Sequence, residues 1–89
     1  MNFLQEPGRT FALDQTGRLV AEVTYPEQNG VAVMNHTFVD PSLRGQGAAG
    51  QLVKAAADTL RARGCKVRPT CSYAIRWFES HPEYADLLE

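Results

Sequence analysis

Between residues 31 and 69 the hydrophobic pattern changes period twice, and this constrains the fold more than any other feature of the chain. Residues 31–39, VAVMNHTFV, are apolar almost throughout, as a central strand is. From about Gly47 to Arg63, Ala49, Leu52, Val53, Ala56 and Leu60 recur at helical spacing and form one stripe. CKVRP, residues 65–69, returns to a short extended pattern. Strand, helix and strand in so short a span imply a crossover, with the two strands parallel and the helix laid on the sheet. Arg61 and Arg63 suit the negative end of the helix dipole, and Gly64 fits the position just past the helix end.

The flanking segments complete the pattern. RTFALD, residues 9–14, alternates, with Phe11 and Leu13 on one face. After the turn QTG, RLVAEVTY sets Leu19, Ala21 and Val23 against Val20, Glu22 and Thr24. PEQNG reads as a second turn. SYAIRWFESH is expected to form a short second helix with Ala74, Ile75 and Phe78 on one side, ended by Pro82. The predicted order is β-β-β-α-β-α, an α/β (α+β) chain with a mixed, mostly antiparallel sheet. At 89 residues it is expected to be one domain spanning residues 1–89.

Charge and cysteine content narrow the partners. The net charge is −1, but it is uneven: residues 1–40 hold two cations against five carboxylates, and residues 41–89 hold seven against five. An anion site is therefore expected in the second half, while the near-neutral total argues against a nucleic-acid partner. MNFLQEPGRT lacks the cationic start and apolar core of a secretory leader, and no apolar run is long enough to span a bilayer. No membrane partner and a cytoplasmic location are expected. Cys65 and Cys71, if the segment between them is extended, lie roughly 20 Å apart, too far to bridge. Free thiols are expected.

The chemistry is concentrated in LRGQGAAGQL, residues 43–52, which contains a literal G-x-G-x-x-G. A dinucleotide site needs the first glycine at a strand end and an acidic residue about 20 positions on. Here Asp40 to Arg44 separate Val39 from Gly45, and CKVRPT around position 65 has no carboxylate. No Gly-Lys-Ser/Thr follows either, which removes the nucleoside-triphosphate loop. Two readings remain. The small residues could simply let the helix pack closely on the sheet, although each glycine costs about 0.5–1 kcal/mol in regular structure. Alternatively they expose backbone amides at a helix N-terminus to a phosphate, with Arg44 adding charge at the rim.

VDPSLRGQGAAGQLV resembles the coenzyme A loop of the GNAT superfamily of N-acetyltransferases, through Arg44, Gly47 and Ala49. Together with RGCKVRPTC and HPEYADLL it resembles the small single-domain acetyltransferase-like family of that superfamily. The resemblance implies a minimal acyl-CoA N-acyltransferase fold, acetyl-CoA as co-substrate and an amine acceptor such as a protein lysine or a polyamine. It implies that the backbone of Phe38 and Val39 pairs with the pantetheine arm. It also implies that amides of Arg44, Gly45, Gln46, Gly47, Ala48 and Ala49 hold the pyrophosphate. The arm would enter a gap between the strand ending at Val39 and the strand ending near Pro69.

Several side chains then carry two readings each. Cys71 is the suspected catalytic residue, as acetyl acceptor or as proton donor to the departing thiolate, or else a small buried hydrophobe. His36 is a candidate base for the amine or for Cys71, or a hydrogen-bonded strand histidine. Tyr73 and Trp77 wall the ligand pocket or belong to the core. His81 serves the family's closing motif or locks the C-terminal segment. Cys65 is expected to be packing. Many members of the wider superfamily carry Asn at the strand end and a Tyr seven residues later as the acid. Here those positions are Cys71 and Phe78, and a phenyl ring has no proton to give. That departure raises the value of Cys71 and also motivates the alternative of a non-catalytic coenzyme A-binding module. No metal site is expected.

Overall fold

A computed structural model describes residues 1–89. Its strands are β1 (Leu4–Glu6), β2 (Arg9–Leu13), β3 (Leu19–Thr24), β4 (Glu27–Gln28), β5 (Val31–Met34), β6 (His36–Val39) and β7 (Lys66–Pro69). A 3₁₀ turn, Pro41–Leu43, leads into helix α1 (Ala48–Ala62); α2 (Ser72–Ser80) follows β7, and a second 3₁₀ segment spans Pro82–Leu87. β1 and β4 were not expected, and the order is accordingly longer than β-β-β-α-β-α.

The apolar segment 31–39 is not one strand. β6 pairs antiparallel with β3 at the edge of a sheet ordered β1-β2-β3-β6, whereas β5 lies in a second sheet ordered β4-β5-β7. The division falls at Asn35. Its amide donates to the Thr24 carbonyl at 3.2 Å, while Thr24 is already in register with His36, so two residues oppose one. The Thr24 hydroxyl fixes the bulge by donating to Asn35 Oδ1 at 2.6 Å. The crossover itself is as the sequence implies: β5 and β7 are parallel, with Ala32 opposite Val67 and Met34 opposite Pro69.

The four-stranded sheet buries one face. Thr10, Ala12, Ala21, Val23 and Tyr25 point inward and are all buried. Phe11 and Leu13 belong to the outer face, and Leu13, just past a register shift in β2, is 43% exposed. Phe11 is covered by the Arg9 guanidinium, 3.7 Å over its ring, and Arg9 in turn pairs with Glu22 at 2.9 Å. In the segment read as a turn, PEQNG, β4 comes first, and the reversal is made by Asn29 and Gly30 at φ 54° and 79°. That is the left-handed pair of a two-residue hairpin.

Helix α1 lays Leu52, Val53, Ala56, Ala57 and Leu60 on the inner face, all fully buried. It ends as its sequence implies. Gly64 is left-handed at φ 72°, the Gly64 amide donates to Arg61 and the Cys65 amide to Leu60, which closes the last turn. In α2, Ala74 and Phe78 are buried as expected, but Ile75 is 40% exposed. Trp77 takes the inward position instead, because its larger surface packs edge-on to Phe78 and against Tyr84. The C-terminal segment is pinned to α1: Tyr84 donates to Asp58 at 2.6 Å, and Arg61 pairs with Asp86 at 2.6 Å.

Candidate active site

The site is built where the two sheets part. β6 lies at a sheet edge, with β3 as its only partner. The Asp40 amide donates to Val20 at 2.8 Å, and the alternation of an antiparallel ladder then makes Phe38–Glu22 a hydrogen-bonded pair. Thr37 and Val39 are the residues whose backbone groups face the open edge. The expectation for Val39 agrees with this; that for Phe38 is corrected, since its amide and carbonyl are taken by β3. The signal was available in principle, but only once the β3–β6 register was known.

The glycine loop supplies donors. Asp40 ends β6 and caps the 3₁₀ turn, accepting from the Ser42 amide at 3.0 Å and the Ser42 hydroxyl at 2.5 Å. The Ser42 hydroxyl, then its amide, then Arg18 hold the Asp40 carboxyl below its ordinary range. This cap aims the chain into the loop. Gly45 and Gly47, at φ 82° and 72°, turn it into α1. The first intrahelical bond runs from the Gln51 amide to the Gly47 carbonyl. The amides of Gly45, Gly47, Ala48, Ala49 and Gly50 have no acceptor in the protein. Those of Arg44 and Gln46 do not share this freedom, because they donate to Pro41 and Leu43, and the Gln46 side chain donates to Ser42. Of the amides of residues 44–49 expected to face a ligand, those of Gly45 and Gly47–Ala49 are free and those of Arg44 and Gln46 are not, and Gly50 adds one more.

Arg44 contributes its side chain. Six of the nine lysines and arginines are in ion pairs, and Lys66 donates to a carbonyl. Arg44 and Arg76 have neither kind of partner, and Arg44 lines a cavity of about 310 Å³ with Val39, the glycine loop and Tyr73. No carboxylate lines that cavity. Unpaired amides at the positive end of a helix and a free guanidinium are groups that favour an anion. A larger cavity of about 540 Å³ lies between Pro7, Pro26, Asn35 and Arg63, at the opposite end of α1. It has no hydrophobic lining residue and an Arg63–Glu27 ion pair already satisfies its cation. It holds the Glu27 carboxylate and lacks the run of free amides found at the glycine loop.

Cys71 lies between the end of β7 and α2, against Thr37 of β6. It is half-buried and caps α2, its sulfur accepting from the Ala74 amide at 3.4 Å. The same sulfur meets the Thr37 hydroxyl at 3.4 Å. The Thr70 and Cys71 amides both reach the Met34 carbonyl, which fixes the strand end beside the bulge. Thr37 was not foreseen; a threonine in an apolar strand carries no signal until the pairing is known. His36 and Phe38 do share a face, as alternation implies, but it is the exposed outer face. His36 as a base acting on Cys71 is therefore corrected: Thr37, not His36, meets the thiol.

Tyr73 and Trp77 line the groove between α1 and α2, and a Cβ on Gly50 would sit 3.6 Å from Tyr73 Oη and 3.9 Å from Trp77 Nε1. Burial raises the Tyr73 hydroxyl above its ordinary range. His81 stacks on Trp77 at 4.0 Å and its Nδ1 lies 2.7 Å from the Trp77 carbonyl, so the ring does lock the helix end. Cys65 is buried, donates to the Gly30 carbonyl at 3.3 Å and is packing, with its thiol pushed up chiefly by burial. No helix is long and apolar enough to cross a membrane.

Comparison with known proteins agrees with the geometry. Residues 10–87 match the model of a family described as GCN5-related N-acetyl-transferase. Among solved structures, a GCN5-like protein from Staphylococcus aureus, studied by NMR, is 28% identical with a TM-score of 0.79, over 99% of this chain and 87% of that one. The GNAT family N-acetyltransferase YhbS from Escherichia coli, crystallised in complex with CoA, is 28% identical with a TM-score of 0.65. That match covers 76% of this chain but only 42% of the larger protein. The ribosomal-protein-S18-alanine N-acetyltransferase from Escherichia coli, 23% identical with a TM-score of 0.65, shares the fold over 88% of this chain and 50% of its own. No curated protein matches the chain. The match over residues 10–87 includes the split strand, the glycine loop and Cys71, and the chain belongs to the GCN5-related N-acetyltransferase family.

Proposed function

We propose that the protein is an acetyl-CoA-dependent N-acetyltransferase acting on an exposed amine, with Cys71 as the group that handles the acetyl. The observation that carries this reading is the glycine-loop cavity, where the free amides of Gly45 and Gly47–Gly50 and the free Arg44 guanidinium stand beside Val39 at the open edge of β6, the strand whose Thr37 meets the Cys71 thiol. A diphosphate suits the amides and Arg44. A pantetheine amide suits the strand edge, and a thioester carried along that edge would be brought toward the Thr37–Cys71 contact.

Chemistry follows from that order. Cys71 sulfur attacks the thioester carbonyl; the carbon–sulfur bond to coenzyme A breaks and the departing thiolate takes a proton. The acetyl-Cys71 thioester is then attacked by a neutral amine. A carbon–nitrogen bond forms, the bond to Cys71 sulfur breaks, and the amine's proton goes to a base. His36, on the exposed outer face away from Cys71, does not meet the thiol, and water is the base this geometry leaves for that proton. Phe78 cannot act as the acid, which leaves the proton to a cysteine or to water. Cys71 is only half-buried beside the open edge of β6, in keeping with an acceptor as accessible as a protein lysine or a polyamine. Two free thiols support a reducing compartment such as the cytoplasm.

Calorimetric titration with acetyl-CoA, followed by thiol release in the presence of an amine panel, tests the reading. Binding with amine-dependent release is expected. Binding without release from any amine would favour the second reading, a coenzyme A-binding module, which Phe78 motivates. Absence of binding would remove both.

A further inference from the structure

Acetyl transfer to an amine leaves one proton without a receiver in the chain, and this bears on which amine can be the acceptor. Amide formation needs a lone pair on nitrogen, so an ammonium must lose its proton before it attacks. The sulfur of Cys71 meets the Thr37 hydroxyl and the Ala74 amide, both at 3.4 Å, and neither is a base. The elements around it supply none either. β5 carries no titratable side chain. On β6 there is only His36, on the exposed outer face, and Asp40 just beyond is held by Ser42 and Arg18. On β7, Lys66 donates to the Asp86 carbonyl, and Arg68 donates to Glu89 at 2.6 Å. Glu22, opposite Phe38, pairs with Arg9 at 2.9 Å. The one carboxylate of α1, Asp58, is taken by Lys54 and Tyr84. On α2, burial raises the Tyr73 hydroxyl above its ordinary range, so it keeps its proton near neutrality. Glu79 lies at the far end of that helix, about 12 Å along its axis.

The same surroundings disfavour an ammonium. Cys71 is the N-cap of α2, so its sulfur stands at the positive end of a nine-residue helix. Between Ser72 and Arg76 the one formal charge is the Arg76 guanidinium, which has no ion-pair partner. A protonated amine brought to an acetyl group beside this sulfur enters a field of its own sign, with no carboxylate to hold it. A neutral amine does not. Intrinsic basicity then sorts the acceptors. At pH 7 about one lysine amine in 2,500 is neutral, against about one polypeptide α-amine in six, from ordinary values of about 10.4 and 7.7. Accessibility admits a lysine or a polyamine; protonation sets them apart from weaker bases.

Resting on the proposed acetyl transfer at Cys71, we propose that the acceptor is a weakly basic primary amine, largely neutral near physiological pH: the α-amine of a polypeptide or an amine of lower pKa, rather than a lysine side chain or a polyamine. Such an amine attacks the acetyl carbonyl as it stands. The carbon–nitrogen bond forms and the carbon–sulfur bond breaks. The proton lost by nitrogen passes through water to the departing sulfur, so no side chain has to act as base.

The test uses one lysine-containing peptide blocked at either its ε-amine or its α-amine, with aniline and spermidine beside it. Each is incubated with the protein and acetyl-CoA, and acetylated product is measured by mass over an enzyme-free control. At pH 7 the free α-amine is expected to exceed the free ε-amine about a hundredfold in kcat/KM, following the neutral fractions. The ratio of ε-amine rate to α-amine rate should climb more than about tenfold from pH 7 to pH 9, because only the lysine is still losing protons there. Taking the ratio cancels any titration of the protein itself. Aniline above the α-amine peptide would assign an aromatic amine, and the reverse a polypeptide terminus; either is a weakly basic acceptor. An ε-amine or spermidine rate at pH 7 within about threefold of the α-amine rate, or a ratio flat across that pH range, overturns the inference and leaves acetyl transfer standing. Acetylation of none of the amines overturns the transfer reading, and the inference with it.

Discussion

The hydroxyl of Thr37 and the thiol of Cys71 meet at 3.4 Å across the parting of the two sheets, although 34 positions separate them in the chain. The Ala74 amide donates to the same sulfur, so it is held from two sides. Thr37→Val keeps the shape and removes one of the two. It is expected to lower kcat for acetyl transfer about five- to tenfold, the ~1–1.4 kcal/mol of one hydrogen bond, with little change in KM for acetyl-CoA. Thr37→Ser should restore most of the rate. Unchanged kcat in Thr37→Val would show that the contact is packing alone.

The covalent route has its own test. Intact-mass analysis after incubation with acetyl-CoA and no amine should show one added acetyl group, on the peptide containing Cys71, and none in Cys71→Ala. An unmodified Cys71 together with full activity in Cys71→Ala would eliminate the acetyl-cysteine. Iodoacetamide gives a simpler comparison. Cys71 is half-buried, whereas Cys65 is buried with its thiol pushed up by that burial, so native protein should be labelled at Cys71 first.

The two glycines at the start of α1 should respond in opposite ways. Gly47 is at φ 72°, where a side chain costs about 1–2 kcal/mol, so Gly47→Ala should lower the melting temperature and weaken coenzyme A binding. Gly50 has helical geometry, and an added methyl would meet only ordinary contacts with Tyr73 and Trp77. Gly50→Ala should therefore stabilise by about 0.5–1 kcal/mol. Gly50→Leu should instead force those rings away and cost more than tenfold in coenzyme A affinity, read by calorimetry.

Acid should weaken the fold through its capped turns. Asp14 holds the β2–β3 reversal, accepting from the Thr16 hydroxyl and from the Thr16 and Arg18 amides, and its pKa is lowered from 3.8 to about 2, first by the Thr16 hydroxyl. A carboxyl lowered in the folded state stabilises above its unfolded value and loses that contribution as pH falls through its folded value. Urea midpoints should thus be flat near neutrality and drop between about pH 4 and pH 2. Asp14→Asn should show a shallower acid slope, and an identical slope would rule out this cap as a contributor.

How far the sequence alone reaches can be judged at particular residues. The period-3.6 stripe and Gly64 place α1 and its end to within a residue, because both signals are local. Arg44, Gly47 and Cys71 are likewise visible, as charge, as a conformational need and as a thiol at a strand end. What could not be read was which neighbour each strand would find. VAVMNHTFV gives no local hint that Asn35 is a bulge, since the extra residue exists only relative to Thr24 on another strand. Thr37 therefore went unnoticed, Phe38 was given backbone groups that Glu22 already holds, and His36 was turned toward a thiol it does not meet. The exposed Ile75 and buried Trp77 show the same limit on α2, where the choice of inward face was made by Tyr84 and His81 from the far end of the chain.

Asn35 also sets a parity. Side chains alternate across a strand, so one residue more or fewer exchanges the faces of everything beyond it. With Asn35 present, Thr37 and Val39 look toward Cys71 and the glycine loop while His36 and Phe38 look out. Were Asn35 to lie in line and residues 31–39 to run on as one regular strand, His36 and Phe38 would share the inner face with Ala32 and Met34, and the wrong pair would face the thiol. Which side chains meet the Cys71 sulfur is, in this sense, a matter of odd and even, fixed by one bulged residue.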